Sequence, residues 1–196
     1  MDDTIFNKID KLDLGTPKMG KFLISEPFLP DPNFSRSVIF LTEHNDEGSV
    51  GFVLNRELDI PITEAIDDFP EFDGPLYVGG PVDNTSLFYL HTLGEKISGS
   101  HHIIDNLYWG GEFDDLKALL KSREATPAKV RFFTGYSGWE ETQLDKEMRQ
   151  RSWIVADATV EQVMATDSDK LWQNILSGLG ANFAMMAKFP IDPSLS

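Results

Sequence analysis

Apolar positions along the chain fall into short runs that predict strands more often than helices. Residues 37–44, apolar on both faces, and residues 49–56 flank Asn45-Asp-Glu-Gly48, a pattern typical of a β-hairpin in a sheet core. Other apolar runs bounded by Gly, Pro or polar residues predict further strands. These lie at residues 20–25, 75–79, 86–92, 99–107, 130–134 and 152–156.

Helical spacing is clearest at residues 112–121, where acids fill the first turn and Lys117 and Lys121 lie towards the C-terminus, as the helix dipole favours. Further helices are predicted at residues 62–69, about 139–149 and 167–179. Residues 1–13 are predicted to form an N-terminal helix or a mobile arm, and residues 189–196 an irregular tail. Because strands come in runs instead of alternating strictly with helices, the order predicts an α+β fold. We expect one compact domain over residues 1–196, with a mixed, largely antiparallel sheet as its core and flanking helices.

Composition narrows the classes of function. The chain of 196 residues carries 32 Asp and Glu against 17 Lys and Arg, a formal net charge of −15. Direct binding to nucleic acid is therefore not expected, because such binding depends on Lys and Arg that neutralise phosphates. The same charge disfavours anionic membranes, and no apolar run is long enough to span a bilayer. An acidic start without a signal-peptide pattern predicts a cytoplasmic protein.

Polar residues gather where a proline-rich loop, residues 26–35, meets the first hairpin strand. If paired residue numbers in the hairpin sum to about 93, Ser37 faces Arg56 and Val38 faces Asn55. Asp31, Arg36, Ser37, Asn55 and Arg56 then converge at the open end of the hairpin. His44 would lie beside the turn, ~25 Å away at ~3.3 Å per residue, and so outside this cluster.

Two chemical interpretations of this cluster remain open. Arg36 and Arg56 could hold a carboxylate or phosphate through fork-like hydrogen bonds. Alternatively, an ion pair such as Asp31 with Arg36 fixes the loop onto the sheet, since structural ion pairs imitate binding sites.

A second cluster is Gly135-Tyr-Ser-Gly-Trp139, predicted to be a strand-to-helix turn in which Gly135 and Gly138 permit the tight backbone. Its spacing departs from the Gly-x-Ser-x-Gly pattern of hydrolases, so a nucleophilic Ser137 is not expected. Gly79 and Gly80 predict another backbone turn or a close approach of two chains.

If the following helix begins near Trp139, then Trp139, Gln143 and Glu147 share one helix face. Together with Tyr136 they could form the floor of a polar pocket. The alternative is that this stripe packs the helix against the sheet.

Metal and cofactor sites are not predicted. The four histidines lie outside any His-Glu-x-x-His pattern, the chain has no cysteine, and it contains neither a Walker loop nor Gly-x-Gly-x-x-Gly. No residue is assigned a catalytic role.

Motifs in order along nearly the whole chain carry a family resemblance. They include Gly20-Lys-Phe-Leu-Ile-Ser25, Pro27-Phe-Leu-Pro-Asp-Pro-Asn-Phe-Ser-Arg-Ser-Val-Ile-Phe-Leu-Thr-Glu-His44, Gly51-Phe-Val-Leu-Asn-Arg56, Gly79-Gly-Pro-Val82 and Arg131-Phe-Phe-Thr-Gly-Tyr-Ser-Gly-Trp139. In these motifs the chain resembles the AlgH/YqgE family of bacterial proteins. The resemblance implies a single α+β domain and no settled activity. One branch of the family is named for control of alginate production, and some members are labelled transcriptional regulators.

The sequence therefore favours a non-catalytic ligand- or protein-binding module with a regulatory role, whose partner is a small anionic ligand or a protein. The alternative is a hydrolase acting on a phosphorylated or carboxylated small molecule, with Asp31 as base. A third hypothesis is a transcriptional regulator that acts through partners instead of contacting DNA. The ligand-binding candidates are Asp31, Arg36, Ser37, Asn55, Arg56, Tyr136, Trp139 and Gln143.

Overall fold

The computed structural model describes residues 12–190, which form ten β-strands, six α-helices and a short 3₁₀ helix at Gly94–Lys96. The strands are β1 (Lys21–Ser25), β2 (Val38–Asn45), β3 (Gly48–Val53), β4 (Glu57–Leu58), β5 (Leu76–Val78), β6 (Val82–His91), β7 (His101–Ile104), β8 (Leu107–Trp109), β9 (Val130–Glu140) and β10 (Trp153–Asp157). The helices are α1 (Ile62–Ala65), α2 (Phe113–Lys121), α3 (Gln143–Arg149), α4 (Val160–Met164), α5 (Leu171–Gly178) and α6 (Ala181–Met186). The predicted N-terminal helix or arm and the predicted tail lie almost wholly outside the described residues.

The strands form one large sheet in the order β10-β1-β2-β3-β9-β6-β8-β7. Neighbours along this path are antiparallel, whereas β5 runs parallel to β9 and also pairs with β4. The predicted α+β class with a mixed, largely antiparallel sheet is confirmed.

Both faces of the β1–β2–β3 region are buried, which explains why its strands read as continuous apolar runs. On one face Phe22, Phe40 and Phe52 pack in a cluster with residues of α4, α5 and α6. On the other face Leu41 and Trp139 pack in a cluster that includes α3 and the proline-rich loop. Burying both faces removes apolar side chains from water on each side, so this part of the sheet needs two cover layers.

Helix α2 matches its prediction closely. It begins after Glu112, holds Asp114 and Asp115 in its first turn and ends at Lys121, as the helix dipole favours. Its buried residues, Leu116 and Leu120, join a third apolar cluster around β9.

The β2–β3 hairpin forms, but its predicted register holds only beside the turn. His44 lies opposite Ser49, as a sum of 93 requires, whereas Phe40 lies opposite Phe52, a sum of 92. The shift falls at Thr42, where a bulge inserts one residue into β2. The predicted facing pairs Ser37–Arg56 and Val38–Asn55 are therefore wrong by one position.

The predicted strand-to-helix turn at Gly135 and Gly138 is also wrong. Strand β9 continues through both glycines to Glu140, and α3 begins only at Gln143. The reason is tertiary, because β3 pairs with residues 137–140 and holds this segment extended.

The link between β5 and β6 crosses β9. Strands β5 and β6 pair with the same stretch of β9, one parallel and one antiparallel, so they occupy its opposite edges. At the crossing a Cβ on Gly80 would overlap the backbone of Tyr136, and a Cβ on Gly135 would lie 2.7 Å from the Val82 oxygen. Gly79 and Gly80 thus mark the close approach of two segments of the chain, as the sequence indicated. We call this feature the glycine crossing, residues 79–81 over residues 134–137.

A first prediction concerns Gly135→Ala. Gly135 has a φ of +66°, and its missing Cβ is the space that the crossing chain fills. Left-handed strain and overpacking together should lower the free energy of unfolding by about 2–4 kcal/mol, measured by urea denaturation. Gly178→Ala is the matched control, because a Cβ there meets open space and the expected change stays within about 1 kcal/mol. Equal effects of the two variants would contradict the crossing as a steric constraint.

Candidate functional site

Arg36, considered as an anion-binding residue, instead holds the backbone of residues 189–190. Its Nη2 donates to the backbone oxygens of Phe189 at 2.6 Å and Pro190 at 2.7 Å. Its guanidinium carbon also lies 4.8 Å from the centre of the Trp172 ring. Burial lowers the pKa of Arg36, yet a guanidinium stays charged at neutral pH. Arg36 thus fastens the segment after α6 to the proline-rich loop.

Asn55 and Ser37 close the open end of the hairpin. The Asn55 side chain accepts a hydrogen bond from the Val38 amide and donates one to the Arg36 oxygen, both at 2.8 Å. These bonds extend the ladder where β3 has ended. Ser37 is fully buried, and its Oγ has no hydrogen-bond partner among the described residues.

The negative charge of Asp31 affects the pKa of Arg56 and not that of Arg36. The ion pair suggested between Asp31 and Arg36 is therefore wrong. The Asp31 carboxylate accepts the Asn33 amide at 2.8 Å within a tight turn. Arg56 Nη2 donates to the oxygens of Pro32 at 2.8 Å and Ser35 at 3.4 Å. Burial lowers the pKa of Arg56, and the negative charge of Asp31 opposes that shift.

Trp139, Gln143 and Glu147 seal α3 against the sheet. The Glu147 carboxylate accepts hydrogen bonds from Trp139 Nε1 at 2.9 Å, Trp153 Nε1 at 2.7 Å and Gln143 Nε2 at 3.0 Å. The stripe packs α3 against the sheet, although Trp139 reaches Glu147 from a strand and not from the same helix. Sequence spacing showed the pairing of Gln143 with Glu147, but not the central place of the Glu147 carboxylate.

Arg131 is a buried cation that sequence reasoning passed over. Its side chain donates to the backbone oxygens of Val163 and Ala165, both at 2.7 Å, and to that of Leu54. Its guanidinium carbon lies 3.9 Å from the Tyr77 ring centre. Burial lowers the pKa of Arg131 to about 10, with Tyr77 opposing the shift. Arg131 therefore joins β9, α4 and the end of β3 through hydrogen bonds to backbone oxygens.

Strands β2, β3 and β9 form an open groove near the tip of the hairpin, with a volume of about 510 Å³. Glu43, Val50 and Gly138 lie directly opposite one another across the three strands and therefore share one face. Tyr136 and its cross-strand partner Val82 extend this floor. We call this feature the hairpin groove; its lining residues are Glu43, Asn45, Glu47, Gly48, Ser49, Val50, Val82, Tyr136, Gly138, Trp139, Glu140 and Gln143.

The hairpin groove joins an apolar floor to an acidic rim. Glu43, Glu47 and Glu140 are its three carboxylates, and its described lining includes neither Lys nor Arg. Gly138 keeps the floor open, because a Cβ there would lie 3.2 Å from the Tyr136 ring. Such a surface can take a cation by charge and, at Tyr136, by a cation–π contact.

A smaller cavity of about 120 Å³ lies beside the glycine crossing. We call it the Arg56 cavity; its lining residues are Asn33, Val53, Arg56, Val78, Gly80, Pro81 and Asn84. The predicted ligand-binding set is therefore divided. Arg56 lines this cavity, Tyr136, Trp139 and Gln143 line the hairpin groove, and Asp31, Arg36, Ser37 and Asn55 line neither.

His44 and Ser49 form a cross-strand pair with His44 Nδ1 2.8 Å from Ser49 Oγ. They line a depression of about 580 Å³ that adjoins the hairpin groove, together with Asp46, Glu140, Glu141 and Asp145. Ser137, by contrast, is fully buried and donates to the Gly79 oxygen at 3.0 Å.

Residues 12–190 contain neither a metal-binding group of side chains nor a membrane-spanning helix. In that range no group of three or more His, Asp or Glu side chains is arranged to hold a metal ion. None of the helices found there is long and apolar enough to cross a membrane.

The comparisons with known proteins agree with this architecture. The model of the family described as AlgH-like matches residues 22–184, and the chain belongs to that family. A protein named UPF0301 protein from Cytophaga hutchinsonii is 43% identical over 178 residues, covering 90% of this chain and 98% of its own. Another of that name, from Parabacteroides distasonis, is 40% identical and covers 92% of each chain.

Two solved structures share the fold. The solution structure of the AlgH protein from Pseudomonas aeruginosa has a TM-score of 0.71 and 26% identity, covering 91% of this chain and 98% of its own. A crystal structure of a protein from Corynebacterium diphtheriae has a TM-score of 0.76 at 21% identity, with coverages of 92% and 96%. The family match confirms the resemblance drawn from the motifs.

A second prediction concerns pH. His91 is fully buried; its Nε2 lies 3.1 Å from the Gly110 oxygen, and its Nδ1 accepts the Leu93 amide at 3.3 Å. Burial lowers the pKa of His91, with the Gly110 bond opposing the shift. Below about pH 6.5, His91 therefore binds a proton in the unfolded chain more readily than in the folded protein. As a result, the free energy of unfolding falls as pH decreases.

Urea denaturation at pH 7.5 and 5.5 measures this loss. We expect the difference between the two pH values to shrink in His91→Gln, whereas contributions from carboxylates cancel between the two proteins. An unchanged difference would mean that His91 does not titrate in this range.

A third prediction concerns Arg36→Ala. Removing this side chain leaves the carbonyls of Phe189 and Pro190 without their donor, so we expect a loss of about 2 kcal/mol in the free energy of unfolding. Limited proteolysis should also cut residues 180–190 faster. Arg149→Ala, on the exposed side of α3, is the control and should change stability by about 0.5 kcal/mol or less. Equal proteolysis of the two variants would refute the fastening role of Arg36.

Proposed function

We propose that this protein is a non-catalytic binding module with a regulatory, cytoplasmic role, and that it holds a cationic segment of a partner protein in the hairpin groove. The observation that carries the proposal is the groove itself, an apolar floor rimmed by three carboxylates. An apolar centre with a charged rim is the usual anatomy of a protein-binding surface.

Electrostatics support a cationic partner. The formal net charge of −15 draws basic partners towards the protein, and Glu43, Glu47 and Glu140 give that attraction a defined place. Val50, Val82 and Tyr136 then contribute apolar area, with Val82 37% exposed. The opposite charges of groove and partner speed their association, and burial of the apolar floor slows dissociation.

The proposal replaces the anion-binding role first expected of Arg36. Arg36 is already engaged with two backbone oxygens, which leaves it poorly suited to grip a ligand carboxylate or phosphate. Asp31, the base of the alternative hydrolase hypothesis, is engaged with the Asn33 amide. A regulatory role acting through partners, including transcription partners, is compatible with the acidic groove.

One observation favours a hydrolase as the second candidate. Ser49 Oγ and His44 Nδ1 are within hydrogen-bond distance, which is the nucleophile–base arrangement of many hydrolases. Ser49 is only 5% exposed, and the acids around the pair would repel phosphorylated or carboxylated substrates. Esterase activity that disappears in Ser49→Ala and His44→Ala would favour this candidate over the binding module.

The fourth prediction tests the binding module with a labelled, lysine-rich dodecapeptide that carries two leucines, followed by fluorescence anisotropy. We expect Glu43→Gln/Glu140→Gln to weaken binding at least tenfold, because two rim charges are lost and charge-assisted hydrogen bonds become weaker neutral ones. Glu161→Gln/Asp169→Asn makes the same change of net charge on exposed residues elsewhere and should leave the affinity within about twofold. Equal weakening by both double variants would mean that the peptide senses only net charge, which would refute the groove as the site.

A further inference from the structure

The Arg56 cavity differs in charge from the rest of this acidic molecule. Its described lining combines Arg56 with the amides of Asn33 and Asn84, and it includes no carboxylate. The chain as a whole holds 32 acids and 17 bases. A concave site whose polar side chains are all donors or amides is chemically suited to an anion.

Arg56 is held in place and still has donors to spare. Its two hydrogen bonds, to Pro32 and Ser35, both use Nη2. Its Nε and Nη1 donate to no residue within the described part of the chain. A guanidinium fixed at one nitrogen is pre-organised, so binding through its other nitrogens costs little conformational entropy.

The two asparagines also keep free amide groups. The amide of Asn84 makes only one long contact, 3.5 Å from Nδ2 to the Pro81 oxygen. Asn33 uses its backbone amide to reach Asp31, and its side chain makes no hydrogen bond to the residues that the structure describes. Both side chains are exposed at the mouth of the cavity and can turn their donors towards a ligand.

Backbone geometry sets the size of the cavity. Gly80 and Pro81 of the glycine crossing form one wall, and Val53 and Val78 form an apolar wall that excludes water. The volume of about 120 Å³ has room for only a few water-sized groups, which matches a single oxyanion and not a whole nucleotide.

From these observations we infer that the Arg56 cavity binds one small oxyanion group, a phosphate or a carboxylate, through Arg56, Asn33 and Asn84. The charge of Asp31 opposes this binding, because it acts on Arg56 from outside the cavity lining. The site is independent of the hairpin groove and of the partner proposed for it.

The experiment titrates the whole ¹⁵N-labelled protein with sodium phosphate and with sodium acetate, using sodium chloride at equal ionic strength as reference. Saturable amide shifts at Gly80 and Asn84, absent with chloride, support the site. A parallel titration with glycerol 3-phosphate distinguishes the source of the group. Binding of this monoester indicates a phosphoryl group on a larger molecule, whereas binding of phosphate alone indicates the free ion.

Three variants make the test specific. Asn84→Asp keeps the shape but replaces a donor by a negative charge, and should weaken phosphate binding at least tenfold. Asp31→Asn keeps an acceptor for the Asn33 amide while removing the opposing charge, and should tighten binding about threefold or more. Asn174→Asp, on the exposed side of α5, is the matched control and should bind as the unaltered protein does.

Several results would overturn the inference. These are equal shifts with chloride, unaltered affinity in Asn84→Asp, equal weakening by Asn84→Asp and Asn174→Asp, or no tightening in Asp31→Asn. Far-UV circular dichroism checks that each variant is folded. If Asn84→Asp fails this check, Asn33→Asp places the same charge at another residue of the cavity lining and is judged by the same criteria.

Discussion

The glycine crossing is the constraint on which the rest of the structure depends. Because β5 and β6 lie on opposite edges of β9, the chain between them must pass over that strand, and two backbones then come into direct contact. Only residues without a Cβ permit this contact at Gly80 and Gly135. Pairing with β3 keeps β9 extended past Gly135, which places Gly138 and Tyr136 in the groove, and the crossing itself forms a wall of the Arg56 cavity.

Several conspicuous polar side chains are used to hold the fold together. Arg36 and Arg131 both donate to backbone oxygens of the C-terminal helical region, and Glu147 accepts three donors beneath α3. A buried charged group needs such partners, because unpaired it would carry a large desolvation penalty. These residues resemble site residues in the sequence since the same chemistry that binds a ligand also binds a carbonyl or an indole.

Charge is distributed unequally around the crossing. The hairpin groove carries carboxylates and an apolar floor, whereas the Arg56 cavity carries a guanidinium and two amides. The two concavities would therefore select groups of opposite sign. A protein with both concavities would be able to bind a basic partner segment and a small oxyanion at once. The two concavities adjoin in sequence, because Pro81 lines the Arg56 cavity and the next residue, Val82, lines the hairpin groove.

The sequence by itself determined the α+β class, the β2–β3 hairpin, helix α2 and the family, because local periodicity, turn residues and motif order encode these directly. It also singled out Arg56, Gly80, Tyr136 and Gln143, but it did not show which of them line one concavity. Only the tertiary structure decided that a bulge at Thr42 shifts the hairpin register and that β3 extends β9 through Gly138. The extension of β9 depends on pairing with a strand that is distant in the sequence, and no local sequence pattern encodes the energy of that pairing. For the same reason the partners of Arg36, contributed by residues about 150 positions away, were not visible in the sequence.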